Sequence, residues 1–82
     1  MNLTVLTPEK EIYKGAVKSV RVPGTSGQFE VLANHAPIVA ALSEGEVRVI
    51  DASGQTQTYH IAKGFIEVLK NEVSLLVTVA SN

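Results

Sequence analysis

Apolar and polar residues alternate along most of the 82-residue chain. Leu3 and Val5 share one phase with Thr4 on the other, and Val20 and Val22 flank Arg21. Val47 and Val49 interleave with Glu46, Arg48 and Ile50, while Tyr59 and Ile61 interleave with Thr58 and His60. A period of two belongs to β-strands with one face in a core and the other toward solvent. Phe29 and Val31 begin a further alternation. Val73, Leu75, Val77 and Val79 hold one phase of the last segment, and Leu76 on the other phase predicts apolar cover on both faces there. Ile38–Leu42 is apolar without alternation, and five residues suit a buried strand better than a helix.

Turn formers divide these runs at short intervals: Thr7-Pro8, Lys14-Gly15, Pro23-Gly24-Thr25-Ser26-Gly27, Asn34, Pro37, Glu44-Gly45, Ser53-Gly54, Lys63-Gly64 and Asn71. The gaps fit strands and leave no room for a helix. A hairpin turning at Ala52-Ser53-Gly54-Gln55 joins two of the strands. Ala80-Ser81-Asn82 follow the last one directly. Valine, isoleucine and threonine supply 23 of the 82 residues, and such β-branched side chains favour a pleated sheet. The expectation is an all-β domain over residues 1–82, an antiparallel sandwich or barrel.

Composition narrows the function. A net charge of −1 with dispersed basic residues gives no electrostatic grip on nucleic acid, and four aromatics offer little for base stacking. With no cysteine there is neither a disulfide framework nor a thiolate metal site. No apolar run approaches the roughly 20 residues of a membrane-spanning helix, and no basic segment precedes the first apolar residues, so neither a span nor a signal peptide is expected.

Candidate chemistry is sparse. His35 and His60 are the groups that titrate near neutrality, but their separation matches no metal-ligand spacing. His60 falls on the polar phase of its strand and reads as solvated. His35 lies in a turn-like segment, Ala33-Asn34-His35-Ala36-Pro37, where side chains are displayed. The serines lack a nucleophile-elbow context, and Gly24-Thr25-Ser26-Gly27 lacks the lysine of a phosphate loop. Glu44 and Glu46 bracket a glycine turn. Two adjacent displayed loops without a catalytic constellation point to recognition of another macromolecule. A free-standing protein- or carbohydrate-binding sandwich is the alternative, weakened by the absence of tryptophan. An enzyme would rest on His35 near Glu30 alone.

The segment Gly27-Gln28-Phe29-Glu30-Val31-Leu32-Ala33-Asn34-His35-Ala36-Pro37-Ile38, followed by Leu42-Ser43-Glu44-Gly45-Glu46-Val47-Arg48-Val49, resembles the signature of the F-type ATP synthase epsilon subunit. Tyr59-His60-Ile61-Ala62-Lys63-Gly64-Phe65-Ile66-Glu67-Val68 and Asn71-Glu72-Val73-Ser74-Leu75-Leu76 continue the resemblance. Upstream, Leu6-Thr7-Pro8-Glu9 and Val20-Arg21-Val22-Pro23-Gly24 follow it in order, so it covers residues 1 to about 79. Lys63 stands where many members carry a second glycine, and Ala33-Asn34 replaces a Pro-Gly of some members. Asparagine tolerates the left-handed region, so the turn is expected to persist.

The resemblance implies a flattened sandwich of two antiparallel five-stranded sheets. It also implies a non-catalytic rotor subunit of the central stalk, without cofactor or metal, joining the gamma subunit to the c-ring. By the same resemblance, Gly24, Thr25, Ser26, Gly27 and Gln28 face the c-ring, while Thr7, His35 and Ala40 lie toward gamma. Outward apolar positions such as Leu76 and Ile66 become candidate interface. The implied location is the cytoplasmic face of a bacterial inner membrane, or its organelle equivalent, as a peripheral part of the complex. Most bacterial members continue into an autoinhibitory helical hairpin. The sequence ends before it, which reads either as a naturally short subunit or as the first domain of a longer one.

Overall fold

The computed structural model describes residues 1–80; Ser81 and Asn82, which the sequence places after the last strand, lie outside the described residues. Seven strands follow one another: β1 (Asn2–Leu6), β2 (Glu11–Gly24), β3 (Gly27–Leu32), β4 (Ile38–Leu42), β5 (Gly45–Asp51), β6 (Thr56–Leu69) and β7 (Glu72–Val79). Among the described residues there is no helix, as the turn spacing requires.

Two of the strands, β2 and β6, are 14 residues long and belong to both layers. In the first layer the beginning of β2 pairs with β1, β1 with β7, β7 with the second half of β6, and that half with β4. In the second layer β3 pairs with the second half of β2, which pairs with β5, which pairs with the first half of β6. The flattened sandwich is therefore as expected, with principal extents of 32 × 25 × 19 Å. The strand count differs from two sheets of five: the first layer has five segments and the second has four. One pair is also parallel, β1 with β7, because these strands are distant in sequence and need no tight turn between them.

Each long strand carries an irregularity near its middle, between Val17 and Ser19 in β2 and between Ile61 and Lys63 in β6. An extra residue bends a strand, increases its twist and reverses which side chains face inward. Thus Tyr59 and Ile61 face the core before the irregularity, and Ile66 and Val68 face it afterwards. This corrects two expectations. Ile66 is fully buried and is not an interface position, and Phe65 takes the outward phase instead. Leu76 is covered on one side only and is 51% exposed.

Lys14-Gly15 and Lys63-Gly64 do not turn the chain but lie inside the long strands. Gly64 is there for closeness: a Cβ on it would sit 2.6 Å from the Leu76 carbonyl oxygen and 2.8 Å from Val77 Cγ1. The remaining turns fall where the sequence puts them. Lys70 and Asn71, both with positive φ, form the two-residue connection between β6 and β7, the backbone pattern whose twist suits a tight hairpin. Between the layers lies a core of valine, leucine and isoleucine. Leu3, Leu75 and Ile66 come from the first layer, Val20, Val49 and Ile61 from the second, and all are fully buried.

Candidate functional site

The outer faces of the two layers differ in chemistry. On the second layer, one row across the strands reads Glu30, Arg21, Arg48, Thr58. On the first layer, the corresponding row reads Ala41, Phe65, Leu76, Leu6, each directly opposite the next on neighbouring strands. Phe65 is 57% exposed, and together with Leu76 it forms a contiguous apolar strip that a small soluble domain does not ordinarily leave open. Thr7 and Pro8 rise beside this row and make it concave, a groove of about 540 Å³ with Lys63 and Thr78 on its rim.

Local bonding explains the shape. The Thr7 N–H donates to the Lys10 carbonyl at 2.8 Å, and the Thr7 hydroxyl both donates to that carbonyl and accepts from the Lys10 N–H. Pro8 stiffens the same turn. The wall of the groove is therefore rigid, and its floor is the sheet itself.

Around the edge formed by β4 lies the second feature, the β2–β3 hairpin. Gly24 and Gly27 close a two-residue turn at Thr25-Ser26, and Gly27 has φ 129°. Gly24 is required by proximity, since a Cβ there would lie 2.7 Å from the Gly27 carbonyl oxygen and 2.9 Å from the Phe29 ring. The side chains of Thr25, Ser26 and Gln28 are exposed. Between this hairpin and β4 opens a cleft of about 400 Å³, lined by Phe29, Ile38 and Ala40 as well as the hairpin.

Of the candidate residues, the structure brings Gly24, Thr25, Ser26, Gly27 and Gln28 together, as their adjacency in sequence requires. Thr7, His35 and Ala40 are not brought together. Thr7 lines the apolar groove, whereas Ala40 faces the opposite side of its sheet and joins the hairpin cleft. His35 lies toward the other end of the first layer, near the β6–β7 turn. There Asn34, with φ 67°, donates its N–H to Asn71 Oδ1 at 2.7 Å, and Asn71 Nδ2 donates to Asn34 Oδ1 at 3.1 Å. The left-handed turn expected at Asn34 is thus present. The His35 Nδ1–H donates to the Ala36 carbonyl at 2.7 Å and its backbone N–H to the Leu32 carbonyl. His60 is solvated as expected, 3.5 Å from Glu44, both side chains more than half exposed. Phe65, Val39, Leu32 and Leu69 are outward apolar positions that the sequence reading missed, Val39 being 71% exposed.

Two groups have shifted ionisation. Hydrogen bonds from the Ser53 hydroxyl and then the Gln55 N–H hold the Asp51 carboxyl below its ordinary value, fixing the β5–β6 turn. Burial, followed by the neighbouring Tyr13, pushes the Tyr59 hydroxyl up. Both lie away from the groove and the hairpin. No group of three or more histidine, aspartate or glutamate side chains among the described residues is placed to hold a metal ion.

Known proteins share this arrangement. The family model described as ATP synthase, Delta/Epsilon chain, beta-sandwich domain matches residues 1–82. The ATP synthase epsilon chain of Chlorobaculum tepidum is 43% identical over 74 residues, covering 90% of this chain and 84% of that protein. That of Leptospira borgpetersenii is 46% identical over 76 residues, covering 93% of this chain but 59% of its own length. Among solved structures, a chain of the Euglena gracilis mitochondrial ATP synthase, OSCP/F1/c-ring in rotational state 1, superimposes with a TM-score of 0.88 at 26% identity, over 96% of this chain and 51% of that one. A chain of the Tetrahymena thermophila mitochondrial ATP synthase central stalk and c-ring gives a TM-score of 0.78 at 15% identity, over 95% and 63%, a likeness of fold. An all-strand sandwich matched along its whole sequence, at these identities, belongs to the ATP synthase delta/epsilon chain family as its β-sandwich domain.

Proposed function

We propose that the chain is a non-catalytic rotor subunit of a proton- or sodium-translocating F-type ATP synthase, in which the β-sandwich acts as one rigid unit between the gamma subunit and the c-ring. The observation that carries this reading is the apolar row on one outer face. Exposed Ala41, Phe65 and Leu76, with partly buried Leu6, form an apolar strip on a rigid sheet, where the corresponding row of the other layer is polar. A strip of this kind is stable in water chiefly when a partner covers it. Gamma covers the groove beside Thr7, and the exposed hairpin Gly24–Gln28 bears on the c-ring; Ala40, which the resemblance puts toward gamma, lines the cleft behind the hairpin instead. His35, at the other end of the first layer, touches gamma only if that subunit extends along the layer beyond the groove. Transmission of torque needs a body that resists deformation, which a close-packed aliphatic interior provides. Carried within the complex, the chain lies peripherally at the cytoplasmic face of a bacterial inner membrane or at the organelle equivalent.

The experiment is co-purification of the synthase from cells in which the chain carries Leu76→Asp. The charged variant should still fold, its melting temperature lowered by about 4 to 8 °C for a loss of about 1 kcal/mol, yet leave the complex, with loss of ATP-driven ion pumping in membrane vesicles. Retention of the variant at full stoichiometry, with pumping intact, would contradict the assignment of the groove.

A further inference from the structure

The hairpin and the apolar groove meet at the end of β4. Ala41 lines the groove, and its carbonyl accepts the Thr25 N–H at 3.1 Å. Gly24 pairs with Leu42 in the next position. One residue further, Ser43 donates twice to the same atom: its N–H reaches the Pro23 carbonyl at 2.8 Å and its hydroxyl reaches it at 3.2 Å. A carbonyl oxygen has two lone pairs, and here a single residue takes both. Pro23 has no N–H to offer, so this oxygen is its whole main-chain bonding capacity. Among the described residues, none of Thr25, Ser26 and Gln28 makes a side-chain hydrogen bond. Beyond its pairing within the β2–β3 ladder, the tip is therefore held to the rest of the molecule through Ala41, Leu42 and Ser43.

We propose that Ser43 is a positioning residue for the ring contact: its paired bonds to the Pro23 carbonyl fix the angle of the hairpin against β4, so that load taken at the tip passes to the strand bordering the groove. The inference rests on the reading of Gly24–Gln28 as the ring contact and of the groove as the gamma contact. It adds a link between them. Ser43 is itself exposed and contributes nothing to the core, so removing its bonds opens no cavity. What changes is the freedom of the tip. A two-residue turn at the end of a strand pair pivots unless something outside the pair holds it, and a pivoting tip transmits force poorly.

The chain has no cysteine, so Ser26→Cys introduces a unique thiol at the tip and Leu76→Cys one in the groove. Each single-cysteine chain is labelled with a photoreactive maleimide before it is reconstituted with gamma and the c-ring, and the adducts with ring subunit and gamma are quantified. Three changes at Ser43 are then compared: Ser43→Pro removes both bonds, Ser43→Ala removes the hydroxyl bond, and Ser43→Thr keeps both. The ring adduct should fall about fivefold or more with Ser43→Pro, about twofold with Ser43→Ala, and recover with Ser43→Thr, the size expected from losing one or two ordinary hydrogen bonds. The gamma adduct should not change. A parallel fall of both adducts, or a ring adduct indifferent to all three changes, would overturn the role of Ser43. If the Ser26→Cys chain gives no ring adduct with Ser43 intact while the Leu76→Cys chain gives its gamma adduct, the placement of the hairpin on the ring is wrong, and the inference falls with it.

Discussion

Ile66 and Phe65 are neighbours in sequence and lie on opposite faces of the first layer, so truncating each to alanine separates the core from the surface. Ile66 is fully buried between the layers, and removing its distal carbons leaves a void that a rigid sandwich cannot fully close. Ile66→Ala should cost about 3 kcal/mol, within the usual range for such truncations. For a domain of this size that corresponds to a fall in Tm of roughly 12 to 24 °C. Phe65 keeps 57% of its surface in water, so its truncation creates no cavity and should cost only about 1 kcal/mol of stability. Its effect should appear in binding. An aromatic anchor at the centre of an interface contributes at least about 2 kcal/mol, a loss of affinity of about 30-fold for gamma. Thermal melts followed by circular dichroism and calorimetric titration with purified gamma measure the two quantities. A destabilised Phe65→Ala chain alongside an unaffected Ile66→Ala chain would refute the reversal of phase at Ala62.

Gly64→Ala should destabilise by about 1 to 3 kcal/mol through forced contact with the Leu76 carbonyl and Val77, and a melt unchanged within error would remove the close-approach argument. Asn71→Ala loses both side-chain bonds to Asn34 and strains a residue with φ 62°, a cost of about 1 to 2 kcal/mol that Asn71→Gly should reduce by relieving the backbone strain. Asp51 has a lowered folded pKa, so its stabilising share is complete above the unfolded carboxylate value and disappears as pH falls through the folded one; Asp51→Asn should flatten the acid limb of stability against pH. Tyr59 has a raised folded pKa, so its share is complete below the unfolded phenol value and is lost as pH rises toward the folded one; Tyr59→Phe should flatten the alkaline limb.

The layers were readable wherever alternation ran unbroken. Val20 with Val22, Val47 with Val49, and Val73 through Val77 occupy the core as their phase requires. Val79 shares that phase but is 44% exposed, because the strand there reaches the margin of the sandwich. The long strands were less readable. Glycine marks both turns and close contacts, so Gly15 and Gly64 suggested breaks in strands that continue through them. An extra residue reverses the faces beyond it, which is how Ile66 and Phe65 exchanged roles; the change of phase from Ile61 to Ile66 was the available signal. The hairpin Gly24–Gln28 is local and was legible as a unit. The face taken by Ala40 was not, because Ile38–Leu42 is apolar on both phases. The pairing that places the His35 loop joins Asn34 to Asn71, 37 residues away, and leaves no local trace.

The central claim concerns which face is covered in the working assembly, and hydroxyl-radical footprinting of the reconstituted rotor reads it directly from side-chain oxidation. On addition of gamma and the c-ring, Phe65 and Leu76 should lose most of their reactivity, while Leu32, 52% exposed on β3, keeps its own. Protection of Leu32 with Phe65 and Leu76 still reactive would place the partner on the wrong layer and contradict the account.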